Sequence, residues 1–173
     1  MKVIGITGGV GSGKTMLLQY IQEHYNCRIL LADDVANRLK EPGQVCYEKI
    51  VDLLGQDIVD ETGVICRERM AERIFRDKNL LQEVNAIIHP AVREYIVQEI
   101  EREKKKAEYD FFFLEAALLI ECGYDAVVEE MWYIYTDEAV RRSRLKAGRA
   151  YSDEKIDSII RSQLSEENYR AHC

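Results

Sequence analysis

Proline is scarce in this sequence, with two in 173 residues, and Pro42 and Pro90 each fall at a junction between helical patterns. That argues against collagen-like and proline-rich classes. No Cys-x-x-Cys occurs, and the five cysteines (Cys27, Cys46, Cys66, Cys122 and Cys173) are odd in number and widely spaced. A disulfide scaffold or a zinc ribbon is therefore not expected, and a reducing cytoplasm fits best. Long apolar runs are also missing. The longest, Phe111 to Ile120, is broken by Glu115 and is too short to cross a bilayer. The first residues enter a strand pattern directly, without a signal-peptide layout. Positive charge is in deficit: 24 Lys and Arg against 31 Asp and Glu leave a net charge of −7. This excess of acid argues against a general nucleic-acid binder, so any anionic ligand must meet locally supplied cations. Nothing in the composition calls for a membrane or a protein partner. What is present is a 47% hydrophobic content, enough for one core-forming domain spanning 1–173.

Short apolar runs alternate with helical periodicity. Lys2–Thr7 reads as a buried strand, followed by a Gly-rich turn and a helix over Lys14–Tyr25. Arg28–Asp33 reads as a second strand leading into a helix from Asp34. Glu41-Pro42-Gly43 ends that helix, and another runs over Gln44–Leu54 with Gly55 as its cap. Turns and short helices follow to Ile88, and Pro90 is expected to start a long helix reaching Glu108, with Glu99–Lys106 as a solvated face. Phe111–Ala117 and Met131–Thr136 are the third and fourth strands. Helices then follow over Asp137–Lys146, over Asp153–Leu164 behind Ser152, and from Ser165. The pattern predicts an α/β fold, a parallel sheet with helices on both faces. Residues 40–108 read as a helical insertion and residues 137–164 as a lid-like helical region.

The stretch Gly8-Gly9-Val10-Gly11-Ser12-Gly13-Lys14-Thr15 matches G-x-x-x-x-G-K-[ST]. Glycines let successive N–H groups converge on a phosphate, the lysine reaches the β- and γ-phosphates, and the threonine hydroxyl binds Mg²⁺. The following helix aims its positive end at the same anion, with the amides of Thr15 and Met16 in place to help. The motif lies between a strand and a helix, which makes it a P-loop and the fold a P-loop NTPase type. Gly8, Gly11, Ser12, Gly13, Lys14, Thr15 and Met16 are the expected ATP contacts. A GTPase switch would add Asn-Lys-x-Asp, which is absent, although Asp-x-x-Gly occurs at Asp52–Gly55 and Asp60–Gly63. The size suits a small-molecule kinase.

Further segments carry a resemblance. Leu31-Ala32-Asp33-Asp34-Val35 is followed by Glu41-Pro42-Gly43, by Gly63-Val64-Ile65-Cys66-Arg67 and by His89-Pro90-Ala91-Val92-Arg93. Leu118-Leu119-Ile120-Glu121 and an Arg-rich helix ending in Gln163 complete the series. In this order, along the whole chain, they resemble dephospho-CoA kinase. The resemblance implies transfer of the ATP γ-phosphoryl group to the ribose 3′-hydroxyl of dephospho-CoA, with Mg²⁺, and a helical insertion that binds the acceptor. The departures are Leu31, where the family has an Asp, Ala117, where it has a Pro, and an end at Cys173. There the family's C-terminal strand, Asn-containing loop and helix, which border the adenine, would follow.

Each candidate residue also admits a plainer role. Asp33 is the expected base for the acceptor hydroxyl, or else the N-cap of the helix from Asp34. Glu115 interrupts an apolar strand and is expected to face Mg²⁺ through water, or else to reach solvent at the strand end. His89, Arg93 and Leu118 are expected substrate contacts on the resemblance, with His89 alternatively a helix cap. Residues 139–150 hold five cations and no acid. Arg144 and Arg149 are expected as lid cations over the transferring phosphoryl, while Arg141 and Arg142 read as ordinary surface and Trp132 to Tyr135 as core. Two rival functions stay open: another small-molecule or nucleotide kinase, and a nucleotide-binding protein impaired in catalysis.

Overall fold

A computed structural model describes residues 1–173, the side chain of Lys78 excepted. Four strands form one sheet: β1 (Lys2–Thr7), β2 (Cys27–Leu31), β3 (Phe111–Glu115) and β4 (Glu130–Tyr133), in the order β2-β3-β1-β4. β1 runs parallel to both neighbours, with Ile6 opposite Glu115 on one side and Thr7 opposite Tyr133 on the other. Strands buried on both faces read as continuous apolar runs. Accordingly Val3, Ile4, Ile6, Phe112, Phe113 and Leu114 are all buried. Helices α1 (Lys14–His24), α2 (Ala32–Arg38), α3 (Tyr47–Leu54), α4 (Arg67–Arg76) and α5 (Lys78–Lys106) precede β3. Helices α6 (Glu138–Arg149), α7 (Asp153–Arg161) and α8 (Glu166–His172) follow β4. The expected α/β class is what the chain adopts.

The chain divides into two compact units, residues 1–30 with 103–173, and residues 31–102. The first holds most of the sheet, with α1 and α6 to α8. Ser152 and Ser165 cap α7 and α8, their hydroxyls accepting from the Lys155 and Asn168 amides. Arg142 bonds Glu138 on its own helix and Asp157 on α7, at 2.7 and 2.6 Å, so it joins two helices.

The second unit is helical. Ile50, Val51 and Leu54 bury one face of α3, and Ile58 lies buried beyond Gly55. Replacing Ile50, fully buried, with Ala is expected to cost about 2–5 kcal/mol. Urea unfolding checks this: the midpoint should fall at constant slope, and a loss below about 1 kcal/mol would contradict the packing described.

Several local expectations change. Pro90 lies inside α5, not at its start. One missing N–H is tolerated where Val84, Val92, Ile96 and Ile100 bury one side of the helix. Nor is the run from Glu99 simply a solvated face. Glu99 and Glu103 are buried and accept from Arg102 at 2.5 Å and Lys106 at 2.8 Å, so each acid enters with a cation three residues on. Trp132 and Tyr135 are exposed rather than core. Tyr133 stacks on the buried Tyr169 of α8, with ring centroids 4.7 Å apart.

Candidate functional site

β1 lies at the point where the strand order reverses, with β3 on one side and β4 on the other. Ligands of open α/β sheets bind outside the carboxyl ends of such strands, and the residues that leave β1 there are the motif Gly8–Thr15. Gly8 has to be glycine, because a Cβ would come within 2.7 Å of the Ile134 carbonyl oxygen. Gly11 has φ +81°, in the left-handed region. The loop ends at Gly13, the N-cap of α1, whose first turn carries no acid to compete with an anion.

Each carbonyl oxygen from Thr7 to Gly13 accepts a hydrogen bond. Ile134 N donates to Thr7 O at 2.9 Å, Ser12 N to Gly9 O at 3.1 Å and Leu17 N to Gly13 O at 3.2 Å. Lys14 Nζ donates to Gly8 O at 2.6 Å, and Thr136 Oγ1 to Ser12 O at 2.8 Å. Two arginines of α6 complete the set: Arg141 Nε donates to Val10 O and Arg144 Nη1 to Gly11 O, both at 3.1 Å. A trans peptide points its C=O and N–H in opposite directions. Donors on the carbonyl side therefore fix the direction of the N–H groups, which is what an anion nest needs. Two buried hydroxyls, Thr7 Oγ1 and Ser12 Oγ, have no hydrogen-bond partner among the described residues.

Lys14 Nζ also lies 3.7 Å from Glu115 Oε1, with only 15% and 16% of the two side chains exposed. The register that sets Ile6 opposite Glu115 brings this carboxylate to the foot of the loop, so Glu115 does not simply reach solvent. The expected loop residues, Lys14, Glu115 and Arg144 are thus brought together. Thr15 and Met16 open α1 and are exposed, Leu118 is exposed in the turn after β3, and Arg149 lies over the Tyr151 ring at 5.9 Å.

Arg141 is not ordinary surface. Besides its bond to Val10, it donates from Nη2 to Gln163 Oε1 at 3.1 Å, and the same oxygen accepts from Val10 N at 3.2 Å. Sequence reasoning missed it, and missed Thr136. The available signal was spacing, since residues three apart share a helix face and Arg149, five beyond Arg144, does not. A cavity of about 280 Å³ opens beside Arg141 and Gln163, lined also by Tyr133, Tyr135, Thr136 and Leu164.

The remaining expected residues belong to the second unit. Asp33 lies in the first turn of α2, exposed, and the N-cap of that helix is Leu31, so Asp33 is not a cap. Nearby, burial pushes the Lys40 ammonium below the ordinary lysine range. The Arg67 guanidinium adds to that, while the Asp33 carboxylate works against it. His89 lies mid-helix in α5, which removes its capping alternative, and Arg93 follows one turn later, exposed. No group of three or more His, Cys, Asp or Glu able to hold a metal is found among the described residues. No helix among them is long and apolar enough to cross a membrane.

Known proteins are similar to this chain in sequence and fold. A protein from Carboxydothermus hydrogenoformans named dephospho-CoA kinase is 32% identical over 164 residues, 95% of this chain and 79% of that one. A protein of the same name from Symbiobacterium thermophilum is 30% identical over 165 residues, covering 95% and 68%. A crystal structure from Thermus thermophilus superposes with TM-score 0.81 at 29% identity, covering 98% of this chain and 84% of that one. The dephospho-CoA kinase of Campylobacter jejuni, at 19% identity and TM-score 0.66 over 100% and 94% of the two chains, shares the fold. A family model described as dephospho-CoA kinase matches residues 2–173, and the chain belongs to the dephospho-CoA kinase family.

Proposed function

We propose that the Gly8–Thr15 loop cradles the triphosphate of ATP while residues of this chain direct its γ-phosphoryl group to the acceptor. The activity is that of the family, ATP-dependent phosphorylation of dephospho-CoA. The observation that carries the site assignment is a loop whose carbonyls are all engaged, those of Val10, Gly11 and Ser12 from outside it, with Lys14 at its foot and two buried hydroxyls awaiting a polar ligand. Lys14 offsets charge on the β- and γ-phosphates, and the nucleoside enters the 280 Å³ cavity beside Arg141. Asp33 orients the acceptor hydroxyl and takes its proton. His89, Arg93 and Leu118 contact the acceptor, and the helical residues of the second unit form its binding region.

Mg²⁺ suits this chemistry. The Thr15 hydroxyl and, through water, the Glu115 carboxylate are hard oxygen donors of the kind magnesium takes alongside phosphate oxygens. Bound there, the ion would offset phosphate charge. A cytoplasmic location suits this reaction and the odd, widely spaced cysteine pattern, with the two small substrates as the protein's partners.

Arg144 and Arg149 are the proposed cations over the developing equatorial charge. Arg144→Ala is expected to lower kcat by about 10²-fold with a smaller change in KM for ATP, because such donors act mainly in the transition state. Arg149→Ala should show the same split. Steady-state kinetics with varied ATP checks both, and a change confined to KM would make either one a binding residue. Mass spectrometry of the product tests the reaction itself: phosphate must appear on dephospho-CoA, with coenzyme A as the species formed. A product phosphorylated elsewhere would favour another acceptor class.

A further inference from the structure

Ser12 N donates to Gly9 O at 3.1 Å, which closes a four-residue turn, Gly9-Val10-Gly11-Ser12. Gly11, third in that turn, has φ +81°. A positive φ at the third residue is the mark of a type II turn, and turning the central peptide about half a revolution converts it to type I. That peptide joins the Val10 carbonyl to the Gly11 N–H. Its orientation decides where the Gly11 N–H points, and with no cis bond present it points away from the Val10 oxygen.

The Val10 oxygen is the atom that Arg141 Nε holds, at 3.1 Å. Arg141 is in turn held by Gln163, whose Oε1 accepts from Arg141 Nη2 at 3.1 Å and from Val10 N at 3.2 Å. The three groups close a ring around Val10, gripping its N–H and its C=O from α6 and from the residues just past α7. The approach is close, since a Cβ on Gly9 would come within 2.5 Å of the Arg141 guanidinium carbon. We propose that Arg141, anchored by Gln163, is a positioning residue that locks the Val10–Gly11 peptide and so keeps the Gly11 N–H turned toward the phosphates. This rests on the reading of the loop as the triphosphate cradle. Arg141 acts here through the peptide, not as a further cation on the nucleotide.

Gln163 separates those two roles, because changing it alters no charge on Arg141. Gln163→Met removes the shared acceptor, and Gln163→Glu keeps one. On the full chain with ATP, Mg²⁺ and dephospho-CoA, Gln163→Met is expected to raise KM for ATP about tenfold, the equivalent of one lost hydrogen bond. KM for dephospho-CoA should stay within about twofold, and Gln163→Glu should restore KM for ATP to within about threefold of the parent. The Gly11 amide resonance should broaden in Gln163→Met and recover in Gln163→Glu. An unchanged KM for ATP in Gln163→Met, or equal damage from both variants, overturns the lock. Lys14→Ala run alongside tells the failures apart: lost transfer there leaves the cradle standing while the lock falls, and retained transfer removes the cradle as well.

Discussion

Lys14→Ala is expected to lower the rate of phosphoryl transfer by at least about 10²–10³-fold while the protein stays folded. The Lys14 ammonium lies at the foot of the loop, 2.6 Å from Gly8 O and 3.7 Å from Glu115 Oε1. Neither contact belongs to the apolar core, which is built from β1, β3 and their covering helices. This cation faces a largely buried carboxylate, and on the proposed function it is expected to turn to the ATP phosphate oxygens, which carry more charge. Removing it takes away stabilisation that grows as the γ-phosphoryl leaves, so kcat should fall along with kcat/KM. Single-turnover kinetics and circular dichroism check the two halves of the expectation. Unchanged turnover in a folded Lys14→Ala protein would remove the loop from the mechanism.

Asp33→Asn is expected to lower kcat by about 10²–10⁴-fold with ATP binding nearly intact. The substitution keeps shape and hydrogen-bonding ability but cannot take a proton. Asp33 is exposed in the first turn of α2, where a carboxylate also favours the helix dipole. Loss of that effect alone would cost about 0.3–1 kcal/mol of stability and leave the rate untouched. The capping alternative no longer competes, since Leu31 is the N-cap. Phosphoryl transfer is loose in character, so part of the loss will come from misplaced hydroxyl rather than missing base. A normal single-turnover rate in Asp33→Asn would clear Asp33 and turn attention to Glu115.

The P-loop and the alternation of strands and helices were legible in the sequence, because glycine spacing and apolar runs are local signals. Asp33 illustrates the limit. The run Arg28–Asp33 reads as one strand, yet Ala32 and Asp33 already belong to α2, and no capping side chain marks the change. Pro90 misled for a related reason: a proline that opens a helix and one tolerated inside it look alike until the buried stripe on both sides is known. Glu99 and Glu103 looked solvated because their cations are neighbours in the chain, and burial depends on what packs over them. Arg141 was read as surface while it grips Val10, a contact 131 positions away that no local pattern carries.

Acceptor-dependent ADP release reports most directly whether this loop passes phosphate from ATP to dephospho-CoA. With ATP and Mg²⁺ at fixed concentration, release should be slow alone, rise steeply on adding dephospho-CoA, and stay near the baseline with nucleosides or sugars. Release that does not respond to dephospho-CoA, or responds as strongly to another hydroxyl acceptor, would mean that the loop does not serve this transfer.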